Sequence, residues 1–269
     1  MSIFRLELRN MCKHAVISTL SILCILLGML AFYPSMKTES MQAIAGAKLD
    51  SINPALLSAL GLSKMIDFSV MGNYLGYVLQ FITLAIMVIF TQQAVSLLIK
   101  EETDGTIEYL YAKPISRSGI LVQKSLAHMT TMLFMLLSCI AVTTAGYCIF
   151  GDYAPVHAAK EVFLLFSPLY FVGLIFSAPA LLLSACLKTA KGAAGIALGL
   201  VFGSFLFGIL ASMIKQLSFL RWLAPMDWIK AEKLLSEGLS TYEWLVGCLV
   251  ILSASLAAWM RYDRKDLLI

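Results

Sequence analysis

Charged residues are scarce in this sequence. Of its 269 residues, 13% are Asp, Glu, Lys or Arg, whereas 60% are hydrophobic. Soluble domains carry about 25% charged residues, and a soluble monomer of this size could not cover such long apolar runs. Many of these runs have roughly 20 residues, which is the length that spans the hydrocarbon core of a bilayer. The composition therefore predicts a membrane protein.

Sequence motifs for catalysis and metal binding are also missing. The chain has no Gly-Lys pair, and hence no phosphate-binding loop of the G-x-x-x-x-G-K-[ST] kind, and it has neither H-E-x-x-H nor G-x-S-x-G. None of the six cysteines forms a C-x-x-C pair, and the three histidines are scattered. Buried thiols are therefore favoured over metal ligands or disulfides. We expect no catalytic residue, no metal site and no cofactor in this chain.

Six apolar runs predict an all-α membrane protein that forms a single domain over residues 1–269. The first run resembles a signal peptide, but it is long for one and no A-x-A cleavage pattern follows it directly. We interpret it as an uncleaved span. The six predicted spans are residues 15–33, 74–99, 120–149, 162–187, 193–214 and 242–259.

The distribution of Lys and Arg predicts the orientation of these spans. With the N-terminus in the cytoplasm, 12 of the 20 Lys and Arg residues fall in the shorter inner segments. The positive-inside rule then places both termini in the cytoplasm. Residues 1–14 combine apolar and basic side chains in a pattern that predicts an interfacial helix at the inner leaflet.

Two of the outer segments carry helix signals. In residues 51–61, Asn53 fits an N-cap, Pro54 fits the first helical position and Gly61 fits the C-terminal cap. Residues 217–240 behave similarly. We predict short extracellular helices on the outer leaflet, and solvated loops with some leucines are the alternative.

The fifth predicted span contains regularly spaced glycines, and the second contains three glutamines. Three glycines recur every four residues in the fifth span, so they share a face that lets another backbone approach closely. That face serves either packing within the chain or an interface with a second subunit. The glutamines of the second span favour interhelical hydrogen bonds over a substrate contact. The glycines are Gly195, Gly199 and Gly203, and the glutamines are Gln80, Gln92 and Gln93.

The densest cluster of charge, KEETDGTIEYLYAKPISR at residues 100–117, lies between the second and third predicted spans. Gly105 breaks the preceding helix, Pro114 ends a short new one, and Ser116 or Ser118 can cap the helix that follows. The helix either rests on lipid or docks a soluble partner. We favour docking, because a bare connector between helices needs only two to eight residues. The apolar side chains on one face of the short helix are Ile107, Leu110 and Tyr111.

This segment resembles the signature of the ABC-2 family of ABC transporter permeases. In that family E-x-x-x-G-T-[IL]-E-x-L-x-[AS]-x-P-[IV]-[ST]-R follows the second span. The C-terminal RYDRKDLL and the segment LAPMDWIKAEKLLSEGLS also look like family sequences, so the resemblance covers nearly the whole chain. The matching residues of the first motif are Glu101, Gly105, Thr106, Ile107, Glu108, Leu110, Ala112, Pro114, Ile115, Ser116 and Arg117.

The resemblance implies a permease subunit of an ATP-driven transporter in the bacterial plasma membrane, with export as the expected direction. Two copies of a separate ATPase subunit would bind ATP and magnesium, and a second permease, identical or related, would complete the assembly. The chain itself would not be an enzyme, and its other partner would be membrane lipid rather than nucleic acid. The alternative is an immunity or sensory subunit that does not itself transport.

The resemblance also implies that residues 100–117 form a cytoplasmic coupling helix that seats in the ATPase. The charged residues that fix the register of this contact would be Glu101, Glu108, Lys113 and Arg117. Gly105 and Pro114 would set the bends, and Thr106 belongs to the same signature. The apolar anchors would be Ile107, Leu110 and Tyr111.

Overall fold

Helix is the only regular secondary structure in the part of the chain that the computed structural model describes. That part comprises residues 3–43, 67–103, 105, 116–187 and 189–264. Short 3₁₀ segments lie at Ala190–Gly192 and Lys215–Leu223. The α-helices are α1 (Ile3–Met36), α2 (Met71–Ser96), α3 (Lys100–Thr103), α4 (Arg117–Phe150), α5 (Pro155–Cys186), α6 (Ala193–Met213), α7 (Pro225–Trp228), α8 (Ala231–Ser236) and α9 (Thr241–Asp263).

Six of these helices are long and apolar enough to cross a membrane, which confirms the predicted number of spans. They are α1, α2, α4, α5, α6 and α9. Helix α5 begins at Pro155, seven residues before the predicted start of the fourth span, because proline is well suited to the first turn of a helix. It then continues through Pro168 and Pro179 without ending, as prolines in spanning helices can when neighbouring groups satisfy the backbone.

Helix α1 runs through the boundary that the sequence suggested between an interfacial helix and the first span. It has 34 residues and is therefore about 51 Å long, so its ends extend beyond a hydrocarbon core of about 30 Å. No glycine or proline occurs between residues 3 and 27 to break it. Ile3 and Glu7 are buried, and these tertiary contacts keep the first turns in line with the rest of the helix.

Helices α2 and α5 form the centre of the bundle. Of their most apolar stretches, 61% and 67% of the residues are buried, whereas the corresponding value for α9 is 22%. Helix α5 packs against α2, α4 and α9, while α1 packs against α4 and α6 against α2. The outer helices thus expose much of their apolar surface, as helices that face lipid do.

The junction between α1 and α2 is fixed by hydrogen bonds at one end of the bundle. The Tyr33 hydroxyl donates to the carbonyl of Ser69 at 2.6 Å, and the Tyr74 hydroxyl donates to the carbonyl of Met29 at 2.6 Å. The side-chain hydroxyl of Ser69, and then its backbone N–H, donate to the Asp67 carboxylate and lower the pKa of that group. These bonds hold the turn from which α2 begins.

Residues 217–240 contain helical turns, as their sequence indicates. They include most of the second 3₁₀ segment and the short helices α7 and α8. Ser240 and Glu243 form a capping box at the start of α9, and Lys233 of α8 pairs with Glu243. The paired carboxylate therefore links the short helix to the long one. The other predicted outer helix, residues 51–61, lies outside the described residues.

Helix α9 approaches α5 closely because Gly247 has no side chain. A β-carbon at this position would lie 2.5 Å from Cζ of Phe171 and 2.7 Å from Cδ1 of Ile175. The Phe171 ring cannot retreat freely, because its centroid lies 4.2 Å from that of Trp244. Gly28 of α1, in contrast, has no atom of the described residues near the corresponding position.

We expect Gly247→Ala to destabilise the protein by about 1–3 kcal/mol, the usual effect of overpacking, despite the higher helix propensity of alanine. Gly28→Ala is the matched control and should leave the thermal midpoint of the detergent-solubilised protein unchanged or raise it. Equal midpoints for the two variants would show that α9 does not pack on α5 in this way.

Candidate functional site

The predicted docking segment, residues 100–117, is only partly covered by the structure. Helix α3 contains Glu101, and Gly105 and Arg117 are described, whereas residues 106–115 lie outside the described residues. The predicted roles of those residues are therefore carried forward as proposals. They are Thr106, Ile107, Glu108, Leu110, Tyr111, Lys113 and Pro114.

The segment begins with a turn at the end of α3. Both the backbone N–H and the hydroxyl of Thr103 donate to the carbonyl of Ile99, each at 3.0 Å. Gly105 follows with φ of +66°, in the left-handed region that side chains disfavour. Glycine is therefore the residue that lets the chain turn at this point.

The segment ends at a capped helix that is tied to the C-terminal helix. The side chain of Ser116 accepts a hydrogen bond from the N–H of Gly119 at 3.2 Å and so caps α4, which selects Ser116 from the two expected caps. Nη1 of Arg117 donates to the carbonyl of Asp263 at 3.1 Å. The start of α4 is thus connected to the end of α9.

A buried ion pair connects α1 to α4 close to the docking segment. Nζ of Lys124 lies 2.7 Å from Oε1 of Glu7, and the two side chains are 1% and 4% exposed. The same nitrogen donates to the carbonyl of Leu97, the residue after α2, at 2.8 Å. We call this set of contacts the Lys124 node. It joins α1, the end of α2 and the first turns of α4.

The node satisfies groups that would otherwise be costly to bury. The last carbonyls of a helix lack hydrogen-bond partners within that helix. The ammonium of Lys124 donates to one of them at the end of α2 and also interacts favourably with the negative end of the α2 dipole. At the start of α1, the N–H of Phe4 donates to Oε1 of Gln123 at 3.0 Å. Polar groups at the ends of α1 and α2 are thus both satisfied by side chains of α4.

Leu98, which follows Leu97 in the chain, is anchored to a further helix, α5. The N–H of Leu98 donates to Oγ of Ser184 in α5 at 2.9 Å, and this bond is buried. Leu97 and Leu98 also belong to a small apolar cluster with residues from α4, α5 and α9. Both ends of the predicted docking segment are therefore fixed to the helical bundle.

Sequence reasoning missed Glu7 and Lys124 as partners. Glu7 is the lone acidic residue in residues 1–14, and Lys124 was counted only among the inner basic residues. Charged side chains within or beside membrane spans usually pair with one another, so this pairing was the available signal. Glu7 and Lys124 are far apart in the sequence, so the sequence alone did not indicate which acidic side chain pairs with which basic one.

The predicted glycine face does not pack within the described part of the chain. A β-carbon at any of the three positions would meet no described atom within 4 Å. The glutamines of α2 likewise form no side-chain hydrogen bond with a described residue, so the interhelical bonds favoured for them are not seen there. The glycines are Gly195, Gly199 and Gly203, and the glutamines are Gln80, Gln92 and Gln93.

Buried polar contacts also occur deeper in the bundle. Nε2 of His128 in α4 lies 3.0 Å from Oγ of Ser177 in α5, and both side chains are buried. This bond links α4 to the central helix α5. Within the described residues, no group of three or more His, Cys, Asp or Glu side chains could hold a metal ion.

Comparison with known protein families gives one match that covers almost the whole chain. The model described as "ABC-2 family transporter protein" matches residues 1–267. A search of curated proteins finds no significant match. The matched region includes the Lys124 node, both ends of the docking segment and all six long helices.

We expect Lys124→Met to destabilise the protein by about 3–5 kcal/mol, because the carboxylate of Glu7 would remain buried without its partner. Replacing both charges, as in Glu7→Leu with Lys124→Met, should recover most of this loss. Thermal unfolding in detergent of the wild type, both single variants and the double variant would measure the coupling. Additive effects of the two substitutions would contradict an energetically coupled ion pair.

Proposed function

The chain belongs to the ABC-2 family of transporter membrane proteins, and on this premise we propose that it is a permease subunit driven by a separate ATPase subunit and that it moves its substrate outwards. Its six long apolar helices make it a multi-pass membrane protein. We place residues 100–117 and both termini in the cytoplasm of a bacterial cell, in accordance with the distribution of basic residues.

The observation that carries the proposal is the attachment of both ends of residues 100–117 to the bundle. Leu97 and Leu98 precede the segment and are bonded to Lys124 and Ser184, whereas Arg117 is its last residue and is bonded to the end of α9. A displacement of the segment would therefore act on α2, α4, α5 and α9 together. A connector that transmits no force needs no such anchoring.

We propose that the segment is the coupling helix and that its apolar side chains Ile107, Leu110 and Tyr111 seat in a cleft of the ATPase. Aliphatic and aromatic side chains dominate the energy of such contacts. The charged residues Glu101, Glu108, Lys113 and Arg117 would select the register. Closure of the ATPase dimer around ATP would then push the segment, and the Lys124 node would pass the movement to α1.

Nucleotide chemistry belongs to the partner in this proposal. The sequence has no Gly-Lys pair, so it lacks a phosphate-binding loop of the Walker A kind. Two ATPase subunits would hold ATP and magnesium. A second permease, identical or related, would complete the transporter, and the open glycine face of α6 is a surface on which its backbone could approach closely.

Isolation of the tagged chain from its native cells in mild detergent tests the partnership. We expect an ATPase subunit with a Walker A sequence to co-purify and to hydrolyse ATP. Inside-out vesicles that contain the complex should then accumulate a fluorescent amphipathic peptide from a test panel when ATP is added outside. ATP hydrolysis without accumulation of any probe would favour an immunity or sensory subunit over a transporter.

We expect Leu110→Asp to reduce ATPase co-purification and ATP-driven accumulation at least about tenfold, because a buried apolar anchor typically contributes 2 kcal/mol or more. Tyr109→Asp introduces the same charge on the opposite face of the expected helix and is the matched control. Both variants should insert into the membrane at wild-type levels. Wild-type coupling in Leu110→Asp would rule out its assignment as an anchor.

A further inference from the structure

A cavity of about 480 Å³ lies between α1 and α2, beside the Lys124 node. Its volume is within the range of small-molecule sites, roughly 300–1,000 Å³. Residues on one face of α1 and on the facing side of α2 line it, and Lys100 completes the lining at the start of the docking segment. The predicted function does not account for this cavity.

The cavity contains amide groups that lack protein partners. Gln92 and Gln93 both line it, and neither side chain has a hydrogen bond to a described residue. Two serines in the wall offer no donor, because the hydroxyl of Ser18 donates to the carbonyl of His14 and that of Ser96 donates to the carbonyl of Gln92. Gln92 is exposed and Gln93 is half-buried, so both amides are free to donate hydrogen bonds to a polar ligand.

The charge of the lining favours an anion. Glu7 borders the cavity, but its carboxylate is paired with Lys124. The ammonium of Lys100 remains as a cation at the rim, and the imidazole of His14 faces the same space. The cavity therefore presents positive charge and two amide donors, which suit a phosphate group that only accepts hydrogen bonds.

The cavity also offers an apolar path towards the lipid-facing surface. Met11, Ile17 and Ile89 line it beside the polar groups, and the side chain of Ile17 is 64% exposed. Ile17 belongs to a helix that is long and apolar enough to cross a membrane, so an acyl chain could lie against its exposed surface. A ligand with a phosphate head and an alkyl tail would match both parts of the lining.

We infer that this cavity binds the head group of an anionic phospholipid from the adjoining leaflet. Its phosphate accepts hydrogen bonds from Gln92 and Gln93 and pairs with Lys100, while the first part of an acyl chain lies along Ile17 and Ile89. Basic pockets between membrane helices commonly hold such head groups. The bound lipid would connect α1 to the first residue of the docking segment, so the lipid composition would influence that segment.

Thermal-shift titrations of the purified chain in detergent test this site without an ATPase. The probes are dioctanoyl phosphatidylglycerol, dioctanoyl phosphatidylcholine and inorganic phosphate. We expect phosphatidylglycerol to bind at least about fivefold more tightly than phosphatidylcholine, an effect of the size that one basic residue has at an anionic surface. Inorganic phosphate alone should produce little shift.

Lys100→Gln and the double variant Gln92→Leu with Gln93→Leu should each remove most of the preference for phosphatidylglycerol. Lys191→Gln removes an exposed basic residue outside the cavity and is the matched control, which should retain the preference. The two lipids are compared within each variant, so a change in basal stability does not affect the result.

Equal binding of the two lipids to the wild type, or equal loss in Lys100→Gln and Lys191→Gln, would overturn the inference. A shift with inorganic phosphate as large as that with phosphatidylglycerol would also overturn it, because the site would then bind a free anion. Failure of the ATPase to co-purify would bear on the proposed function and not on lipid binding, since no partner is present in this assay.

Discussion

The buried contact of Lys124 with Glu7 and the Leu97 carbonyl is the interaction on which the end of the bundle beside residues 100–117 depends. Burying two charges is costly, and the cost is offset only when each charge has well-placed partners. Here the ammonium lies 2.7 Å from the carboxylate and 2.8 Å from a carbonyl that its own helix leaves without a partner. Three helices must be in register for these distances to hold, so the node fixes their arrangement.

The other long helices are held together by the interactions that stabilise helices in lipid. Lipid tails are as apolar as leucine side chains, so close packing and interhelical hydrogen bonds hold spanning helices together. Gly247 lets α9 approach α5, and the contact of His128 with Ser177 joins α4 to α5. The least buried long helix, α9, is tied to α4 by Arg117. The bond from Arg117 also anchors one end of residues 100–117, and the bonds to Leu97 and Leu98 anchor the other.

The cavity beside the node places a second set of polar groups near this junction. Lys100 belongs to both the docking segment and the cavity lining, while Glu7 belongs to both the cavity lining and the node. A ligand in the cavity and a partner on the segment would therefore act on neighbouring residues. This proximity would connect the proposed lipid site with the proposed contact to an ATPase.

The membrane class, the six spanning helices, the turn at Gly105 and the family resemblance could all be predicted from the amino-acid sequence, because they depend on local composition, periodicity and short motifs. The sequence did not reveal the continuous helix α1, the partnership of Glu7 with Lys124 or the cavity that faces Gln92 and Gln93. These depend on which helix faces pack together. Residues 7 and 124 are far apart in the chain, and only the tertiary structure brought their side chains into contact.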